Sequence, residues 1–249
     1  VVNVISQNLL TFIFGRLYTA NAVGNFSQAF KWDTMASTMV SGTTSQVAQP
    51  ILVEVKAERE RQVLVFRKML RFTAFLAFPA MFGLGMVAYE FIIVFITDKW
   101  IDSVPLLRIL CISGAFLPFY TLYQNLMISR GKSDVYLWVT TSLIAVQLLL
   151  VLLCHSKGMV FMVSAYTVAT VLWLFVWQYF AHREISLRLW DVLLDIVPYM
   201  LVSVAVMAAV YMATSSIHNL IVLLLVRIGL AVVAYFIVMK LLGSKMLDE

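Results

Sequence analysis

The sequence predicts an all-α, polytopic membrane helix bundle with about eight transmembrane helices. Of its 249 residues, 62% are hydrophobic and 12% are charged, whereas a soluble domain carries about 25% charged residues. The mean hydropathy is +0.94. The apolar residues form runs close to the roughly 20 residues that cross a bilayer, and polar connections separate these runs. Both cysteines lie inside apolar runs. Soluble, disordered and disulfide-rich classes are therefore excluded.

Hydropathy divides the chain into predicted spans joined mostly by short loops. The spans are residues 1–17, 22–48, 72–96, 104–129, 135–154, 159–181, 192–214 and 220–242. One longer connection, residues 49–71, carries mixed charges at helical spacing, which predicts a solvated or interfacial helix. Because the chain opens at Val1 inside an apolar run, we expect it to be a fragment of a longer protein.

The basic residues predict the orientation of the bundle. The chain has 18 Lys and Arg residues, and most of them fall in residues 49–71, 130–134, 182–191 and the carboxyl-terminal segment. Cytoplasmic loops of membrane proteins carry an excess of Lys and Arg. We therefore expect these segments, and the carboxyl terminus, to face the cytoplasm. The net charge of +5 is then mostly a matter of topology, and no nucleic-acid partner is predicted.

No catalytic or metal site is predicted. Gly131-Lys132-Ser133 resembles the end of a phosphate-binding loop, but Leu126 occupies the position where that motif requires glycine. The three histidines lie in separate loops, and no metal-ligand spacing occurs. We therefore expect a protein that is not an enzyme and that has no cofactor.

Polar residues inside the spans are the most informative feature of the sequence. In the second span they recur at alternating steps of four and three, which places them on one helical face: Ser27, Lys31, Thr34, Thr38, Ser41 and Ser45. A charge at bilayer depth costs about 2.5–3.5 kcal/mol and usually faces protein or a water-filled cavity. The first span adds Asn3 and Gln7, and the fourth adds Gln124 and Asn125 below a kink predicted at Gly114 and Pro118. The pattern favours a cavity lined by these three spans. A stripe of Ser and Thr that only packs helices together remains the alternative.

Three further charged residues fall within the predicted spans. Glu90 and Arg108 lie at similar distances from the loop that joins the third and fourth spans, which predicts a structural ion pair. Arg227 has no acidic residue at matching depth in the neighbouring span, so we expect it to extend toward the outer interface.

Ordered motifs resemble those of a known family. Residues 8–17 and 23–31 resemble the "N-L-D…G-R…G-Y-Y-x-x-A-Y-R" stretch of bacterial polysaccharide flippases. Residues 78–84 and 99–110 resemble their "F-P-x-M-x-G-L…K-W-x-x-S-V-x-L-L-x-I-L" stretch, and residues 130–134 match the turn that follows. This family, which moves O-antigen and other lipid-linked oligosaccharides, belongs to the multidrug/oligosaccharidyl-lipid/polysaccharide exporter superfamily. One departure is that Leu10 stands where the motif has Asp, so a role of that carboxylate in ion coupling is not carried over.

The resemblance implies the carboxyl-terminal portion of a two-lobe exporter, from about its seventh helix onward. Residues 1–181 would form a six-helix carboxyl-terminal lobe that includes the charged connection 49–71. Residues 182–249 would add two peripheral helices and a short cytoplasmic tail. The amino-terminal lobe of the same protein would be the missing partner.

The implied activity is transport of an undecaprenyl-pyrophosphate-linked glycan across the bacterial inner membrane by alternating access, in surface polysaccharide or lipopolysaccharide biosynthesis. Lys31 stands where the motif often has Arg, so it is the candidate for the anionic glycan or pyrophosphate. The candidates for hydrogen bonds in the cavity are Asn3, Gln7, Thr34, Thr38, Ser41, Gln124 and Asn125. Membrane lipids are the other expected partner. The main alternative is a drug or metabolite antiporter of the same superfamily, and a weaker one is a membrane-embedded polysaccharide polymerase or acyltransferase.

Overall fold

A computed structural model describes residues 16–242, apart from the side chain of His155, and this part of the chain is built from α-helices. The helices are α1 (Ala20–Glu54), α2 (Arg59–Met86), α3 (Ala88–Phe95), α4 (Ser103–Gly114), α5 (Leu117–Ser129), α6 (Ser133–Cys154), α7 (Met159–Ile185), α8 (Leu189–Ala213) and α9 (Leu220–Leu241). Short 3₁₀ turns at Asp98–Trp100 and His155–Lys157 join α3 to α4 and α6 to α7.

Six helical segments of the described chain are long and apolar enough to cross a membrane, namely α2, α4 with α5, α6, α7, α8 and α9. The predicted class, a polytopic helix bundle, is confirmed. Helix α1 is too polar to belong to this set, but its 35 residues extend over about 52 Å at 1.5 Å per residue. That length exceeds the ~30 Å hydrocarbon core. The predicted span 1–17 lies almost entirely outside the described residues.

The charged connection 49–71 is not a separate interfacial helix, and this expectation is wrong. Helix α1 extends into this segment as far as Glu54. A short turn follows, and α2 begins at Arg59, still within the segment. The side-chain amide of Gln62 is buried at this turn, where it donates hydrogen bonds to the Leu52 carbonyl at 3.2 Å and to Ser129 Oγ at 3.4 Å. The charges therefore belong to the ends of two long helices that extend beyond the apolar region.

The kink predicted in the fourth span is confirmed, since α4 ends at Gly114 and α5 starts at Leu117. Pro118 lies in the first turn of α5, where its missing N–H leaves no helical hydrogen bond unmade. The third span also divides, at Val87 between α2 and α3. The breaks turn each of these predicted spans into two shorter helices.

Helix α1 packs against α2, α4 and α5, while α7 packs against α4, α5 and α6. Helix α8 lies along α2, and α9 contacts α8 and α3. The interior is filled by large buried side chains, among them Phe66, Phe78, Phe119, Tyr123 and Trp177. The outer faces of α6, α8 and α9 expose many Leu, Val, Ile and Phe side chains, as expected for a surface in contact with lipid.

The connections rich in Lys and Arg, which are predicted to lie on the same side of the membrane, meet at one end of the bundle. Arg130 donates to the Lys56 carbonyl at 3.0 Å, and both Arg130 and Lys132 lie 3.8 Å from the carboxylate of Glu184. Three connections that are far apart in sequence are therefore joined at this end. Which side of the membrane it faces remains a prediction.

The predicted ion pair between Glu90 and Arg108 is wrong. Glu90 pairs with Arg227 at 2.6 Å, and the two side chains are only 6% and 5% exposed. Arg227 also donates to Thr214 Oγ1 at 3.0 Å, whereas Arg108 is exposed. Arg227 therefore has an acidic partner that the sequence analysis did not assign to it, because α9 packs against α3 and brings the carboxylate of Glu90 to Arg227.

Candidate functional site

A polar cavity of about 300 Å³ lies inside the bundle, between α1, the α4–α5 pair, α6 and α7. Helix α1 supplies one wall, with Asp33, Thr34, Ser37, Thr38 and Ser41. These positions follow the three- and four-residue spacing that brings side chains to adjoining strips of one helix face. The cavity therefore includes the middle of the polar face that the sequence predicts.

The opposite walls come from elements that are distant in sequence. Their polar residues are Ser113, Thr121, Gln124, Thr140, Gln147 and Thr170, and aromatic rings of Phe30, Tyr120, Tyr166 and Trp177 fill the spaces between them. The kink between α4 and α5 separates Ser113 on the first helix from Thr121 and Gln124 on the second.

Hydrogen bonds hold one wall of the cavity in place. The hydroxyl of Tyr120 donates to the Thr170 carbonyl, and the side-chain amide of Gln147 donates to Thr170 Oγ1 at 3.1 Å. Thr170 Oγ1 in turn donates to the Tyr166 carbonyl at 2.9 Å. Because these bonds link α5, α6 and α7, the wall is fixed before any ligand enters.

Asp33 is the acidic group of the cavity wall. Its side chain is only 2% exposed, and its Oδ1 atom has no hydrogen-bond partner. It lies against Gly114, where a Cβ atom would overlap Asp33 Oδ1 and Met81 Cε. The backbone of α4 at Gly114 therefore leaves the space in which the carboxylate sits.

Asp33 is a cavity residue that was not predicted from the sequence. The sequence did contain a signal, because Asp33, Ser37 and Ser41 recur every four residues beside the predicted stripe. That second line of polar residues faces inward, since Asp33 and Ser37 are buried whereas Lys31 and Thr38 are exposed.

The structure brings together four of the predicted site residues, Thr34, Thr38, Ser41 and Gln124, around this cavity. Asn125 is buried beside it and donates to Ser45 Oγ at 3.1 Å. Lys31 does not line the cavity but lies on an exposed part of α1, with its Nζ 5.6 Å from the centre of the Trp32 ring. Asn3 and Gln7 lie outside the described residues. The substrate-binding roles of these residues remain predictions.

Within residues 16–242 no group of three or more His, Cys, Asp or Glu side chains is placed to hold a metal ion. The chemistry available in the cavity is hydrogen bonding by hydroxyl and amide groups, one carboxylate and several aromatic faces. These groups can hydrogen-bond to a polar ligand and pack against its apolar faces.

The fold matches that of a known transporter. A solved structure of the lipid II flippase MurJ in its inward closed conformation matches 97% of this chain and 52% of the other, with a TM-score of 0.74 and 14% sequence identity. The helices and the polar cavity thus define a multi-pass membrane protein with the fold of this flippase.

Part of the chain also matches a family model. The family model described as "polysaccharide biosynthesis protein" matches residues 1–105. This match and the fold are consistent with the resemblance of the chain's motifs to polysaccharide flippases.

Three relatives carry names from polysaccharide biosynthesis. A membrane protein of the cps region in Klebsiella pneumoniae is 28% identical over 54% of the chain, and the lipopolysaccharide biosynthesis protein WzxC of Escherichia coli K12 is 22% identical over 54%. The teichuronic acid biosynthesis protein TuaB of Bacillus subtilis 168 is 25% identical over 70%. The matched regions span only 28%, 27% and 34% of these three relatives.

Proposed function

We propose that this chain is the carboxyl-terminal portion of a transporter that moves a lipid-linked oligosaccharide across the bacterial inner membrane. The observation that carries the proposal is the polar cavity lined by α1 and by α4 to α7, in a chain that has the fold of the MurJ flippase and matches a polysaccharide biosynthesis family model over residues 1–105. Surface polysaccharide or lipopolysaccharide biosynthesis is the process that it would serve. The substrate would be a glycan carried on undecaprenyl pyrophosphate, and membrane lipids would surround the helices.

The polar lining of the cavity suits a substrate rich in hydroxyl groups. A glycan carries many hydroxyl groups. Moving one hydroxyl from water into an apolar medium without a hydrogen-bond partner costs several kcal/mol of free energy. Hydroxyl and amide side chains inside the bundle replace the lost water, while the lipid anchor stays in the bilayer. No covalent bond changes in this process, so we propose a transporter and not an enzyme.

Alternating access requires two bodies that rock about a site between them. The chain spans only 27–34% of its curated relatives and 52% of the MurJ structure. We infer that a preceding amino-terminal lobe of the same protein is the second body. Residues 1–181 would form the lobe that faces it, and residues 182–249 would add two peripheral helices.

Lys31 is the proposed contact for the anionic part of the substrate. It lies on α1, on the exposed side of the polar stripe, with its Nζ 5.6 Å from the centre of the Trp32 ring. A Lys at this depth is costly unless water or a partner surrounds it. A pyrophosphate or an acidic sugar held between the two lobes would supply that partner.

The test uses the full-length gene in a strain that lacks its own flippase for the same polysaccharide. We expect the wild-type gene to restore surface polysaccharide, Lys31→Ala to abolish it, and Lys31→Arg to retain it, because arginine keeps the charge. Immunoblotting of surface polysaccharide measures the outcome, with membrane levels of each variant measured alongside. Normal polysaccharide in the Ala variant would remove Lys31 from the mechanism. Failure of the wild-type gene, combined with resistance to a toxic compound, would favour a drug antiporter.

A further inference from the structure

Arg108 is an exposed cation inside a membrane-spanning segment. It lies about 8 Å along α4 from Ser103, at 1.5 Å per residue. Among residues 16–242 it forms no hydrogen bond or ion pair, and Glu90, its predicted partner, is bonded to Arg227. Charged residues in membrane spans usually pair with one another or face a water-filled cavity. An Arg that does neither within the described chain therefore indicates a contact with another molecule.

Arg108 lines a groove between α2, α4 and α8 that has a volume of about 360 Å³. The groove lies near the last turn of α2, the first turns of α4 and the last turn of α8, at the end of the bundle opposite the basic connections. It shares only α4 with the polar cavity, which is lined by α1 and by α4 to α7. Apart from Arg108 and Tyr211, the residues that line the groove are apolar, namely Phe82, Gly85, Met86, Met207, Ala208 and Met212. Methionine side chains adapt to irregular apolar shapes, such as that of a hydrocarbon chain.

Tyr211 supplies a second polar group to the groove. The centre of its ring lies 4.4 Å from the guanidinium of Arg227, which the carboxylate of Glu90 holds in place. Tyr211 is 48% exposed, and its hydroxyl forms no hydrogen bond within the part of the chain that the structure describes. The hydroxyl can therefore donate a hydrogen bond to a ligand in the groove.

An anionic phospholipid carries the groups that this lining requires. Its phosphate accepts hydrogen bonds and is negatively charged, and the guanidinium of Arg binds phosphate through several N–H groups at once. Its acyl chain packs against the apolar lining, which a soluble anion would leave without a partner. A lipid enters from the bilayer, because the outer face of α8 carries exposed apolar side chains such as Leu201, Val204 and Met212.

We propose that this groove binds one anionic phospholipid from the leaflet at the end of the bundle opposite the basic connections. The phosphate contacts the guanidinium of Arg108 and the hydroxyl of Tyr211, and the first part of an acyl chain lies along α2 and α8. A zwitterionic lipid is disfavoured, because its ammonium group adds a positive charge near Arg108. This inference does not depend on the transported substrate, and it adds a specific lipid site to the general contact with the bilayer.

Two matched pairs of variants separate this site from general effects. Arg108→Gln removes the charge at the groove, whereas Lys99→Gln removes a charge from an exposed residue that precedes α4 and does not line the groove. Ala208→Phe fills part of the groove, whereas Ala209→Phe places the same ring on the next exposed residue of α8, outside the lining.

The experiment measures lipid binding to the purified full-length protein in detergent by native mass spectrometry. The probes are phosphatidylglycerol, which is anionic, and phosphatidylethanolamine, which is zwitterionic, with identical acyl chains. We expect the wild-type protein to bind phosphatidylglycerol more tightly. Arg108→Gln should weaken the tightest binding of phosphatidylglycerol about five- to ten-fold, the effect of one cation at a membrane surface, and remove the preference. Arg108→Lys should retain the preference, because it keeps the charge, and Lys99→Gln should change nothing.

The second pair of variants tests the groove itself. Ala208→Phe should weaken the binding of both lipids, because the acyl chain loses its place, and Ala209→Phe should weaken neither. Melting temperatures in detergent without added lipid show that each variant is folded.

Three results would overturn the inference. Equal binding by the Arg108→Gln and Lys99→Gln proteins would mean that the overall charge attracts the lipid, and equal binding by the two Phe variants would remove the lipid from the groove. Displacement of phosphatidylglycerol by farnesyl pyrophosphate would assign the groove to the pyrophosphate of a transported substrate. Restoration of surface polysaccharide by the wild-type gene would leave the proposed function standing in each case, because that test does not depend on the groove.

Discussion

Gly114 lies where α4 contacts the side chain of Asp33. A Cβ atom at this position would overlap Asp33 Oδ1 and Met81 Cε. We expect Gly114→Ala to destabilise the protein by about 1–3 kcal/mol, the usual cost of overpacking, and to displace the carboxylate of Asp33. Thermal unfolding of the full-length protein in detergent measures the change.

Gly42 is the control for Gly114→Ala. It also lies within a helix, but a Cβ atom built on it meets nothing within 4 Å. Gly42→Ala should be neutral or stabilise α1 by up to about 1 kcal/mol, because alanine has the higher helix propensity. Equal melting temperatures for the two variants would show that the backbone of α4 shifts to accommodate a side chain at position 114. The contact between Gly114 and Asp33 would then not be rigid.

The polar stripe on α1 could be predicted from the sequence, because it depends only on the spacing of residues along one helix. Thr34, Thr38 and Ser41 lie along one wall of the cavity. Asp33 was not assigned to it, because periodicity places residues on a face without telling which neighbour covers that face. Here α4 covers the strip that carries Asp33 and leaves Lys31 exposed. That arrangement depends on tertiary packing, which a single sequence does not contain.

Between elements, a buried ion pair joins α3 to α9. Arg227 bonds to Glu90 and to Thr214, and its guanidinium lies 4.4 Å from the centre of the Tyr211 ring. Removing one partner leaves the other charge buried and unpaired, at a cost of about 3–5 kcal/mol. We expect Glu90→Leu to destabilise the protein by that amount and Glu90→Leu with Arg227→Met to restore most of it. Unfolding in detergent of the single and double variants measures the difference.

The exposed pair of Glu58 and Arg61 serves as the control for that experiment. Its atoms are 3.4 Å apart, and its side chains are 65% and 58% exposed. Arg61→Met should change the melting temperature little, because solvent screens such pairs. The double variant at Glu90 and Arg227 could instead be as unstable as the single variant. The loss of stability would then come from the missing polar contacts and not from a buried unpaired charge.

Most of the helices follow from the sequence, but the contacts between them do not. Apolar length predicted the helices from α4 to α9 to within several residues, and Gly114 with Pro118 predicted the division of one span. The start of α2 was missed because charged residues continue the helix past the apolar region, where Arg67 and Arg71 bond to Asp195 at 2.6 and 3.0 Å. The pair of Glu90 and Arg227 was missed because it joins residues 137 positions apart.

In the whole molecule, ionic contacts hold α8 and α9 at both ends of the bundle. Asp195 is bonded to Arg67 and Arg71 at the basic end, and Arg227 is bonded to Glu90 at the other. Helix α8 is therefore tied to α2 at the basic end, and helix α9 is tied to α3 at the other end. In a two-lobe transporter they would move with this lobe, although the division at residue 181 remains a prediction.

The orientation of the whole chain is testable with the same geometry. Ser133 is exposed at the basic end, where Lys132 approaches Glu184, and Ser216 is exposed at the opposite end, beyond the last residue of α8. The excess of Lys and Arg predicts that the basic end is cytoplasmic. In the full-length protein with native cysteines replaced, a membrane-impermeant maleimide should therefore label Ser216→Cys in intact spheroplasts. Ser133→Cys should react only after permeabilisation, and the reverse pattern would invert the orientation and move the carboxyl terminus outside the cytoplasm.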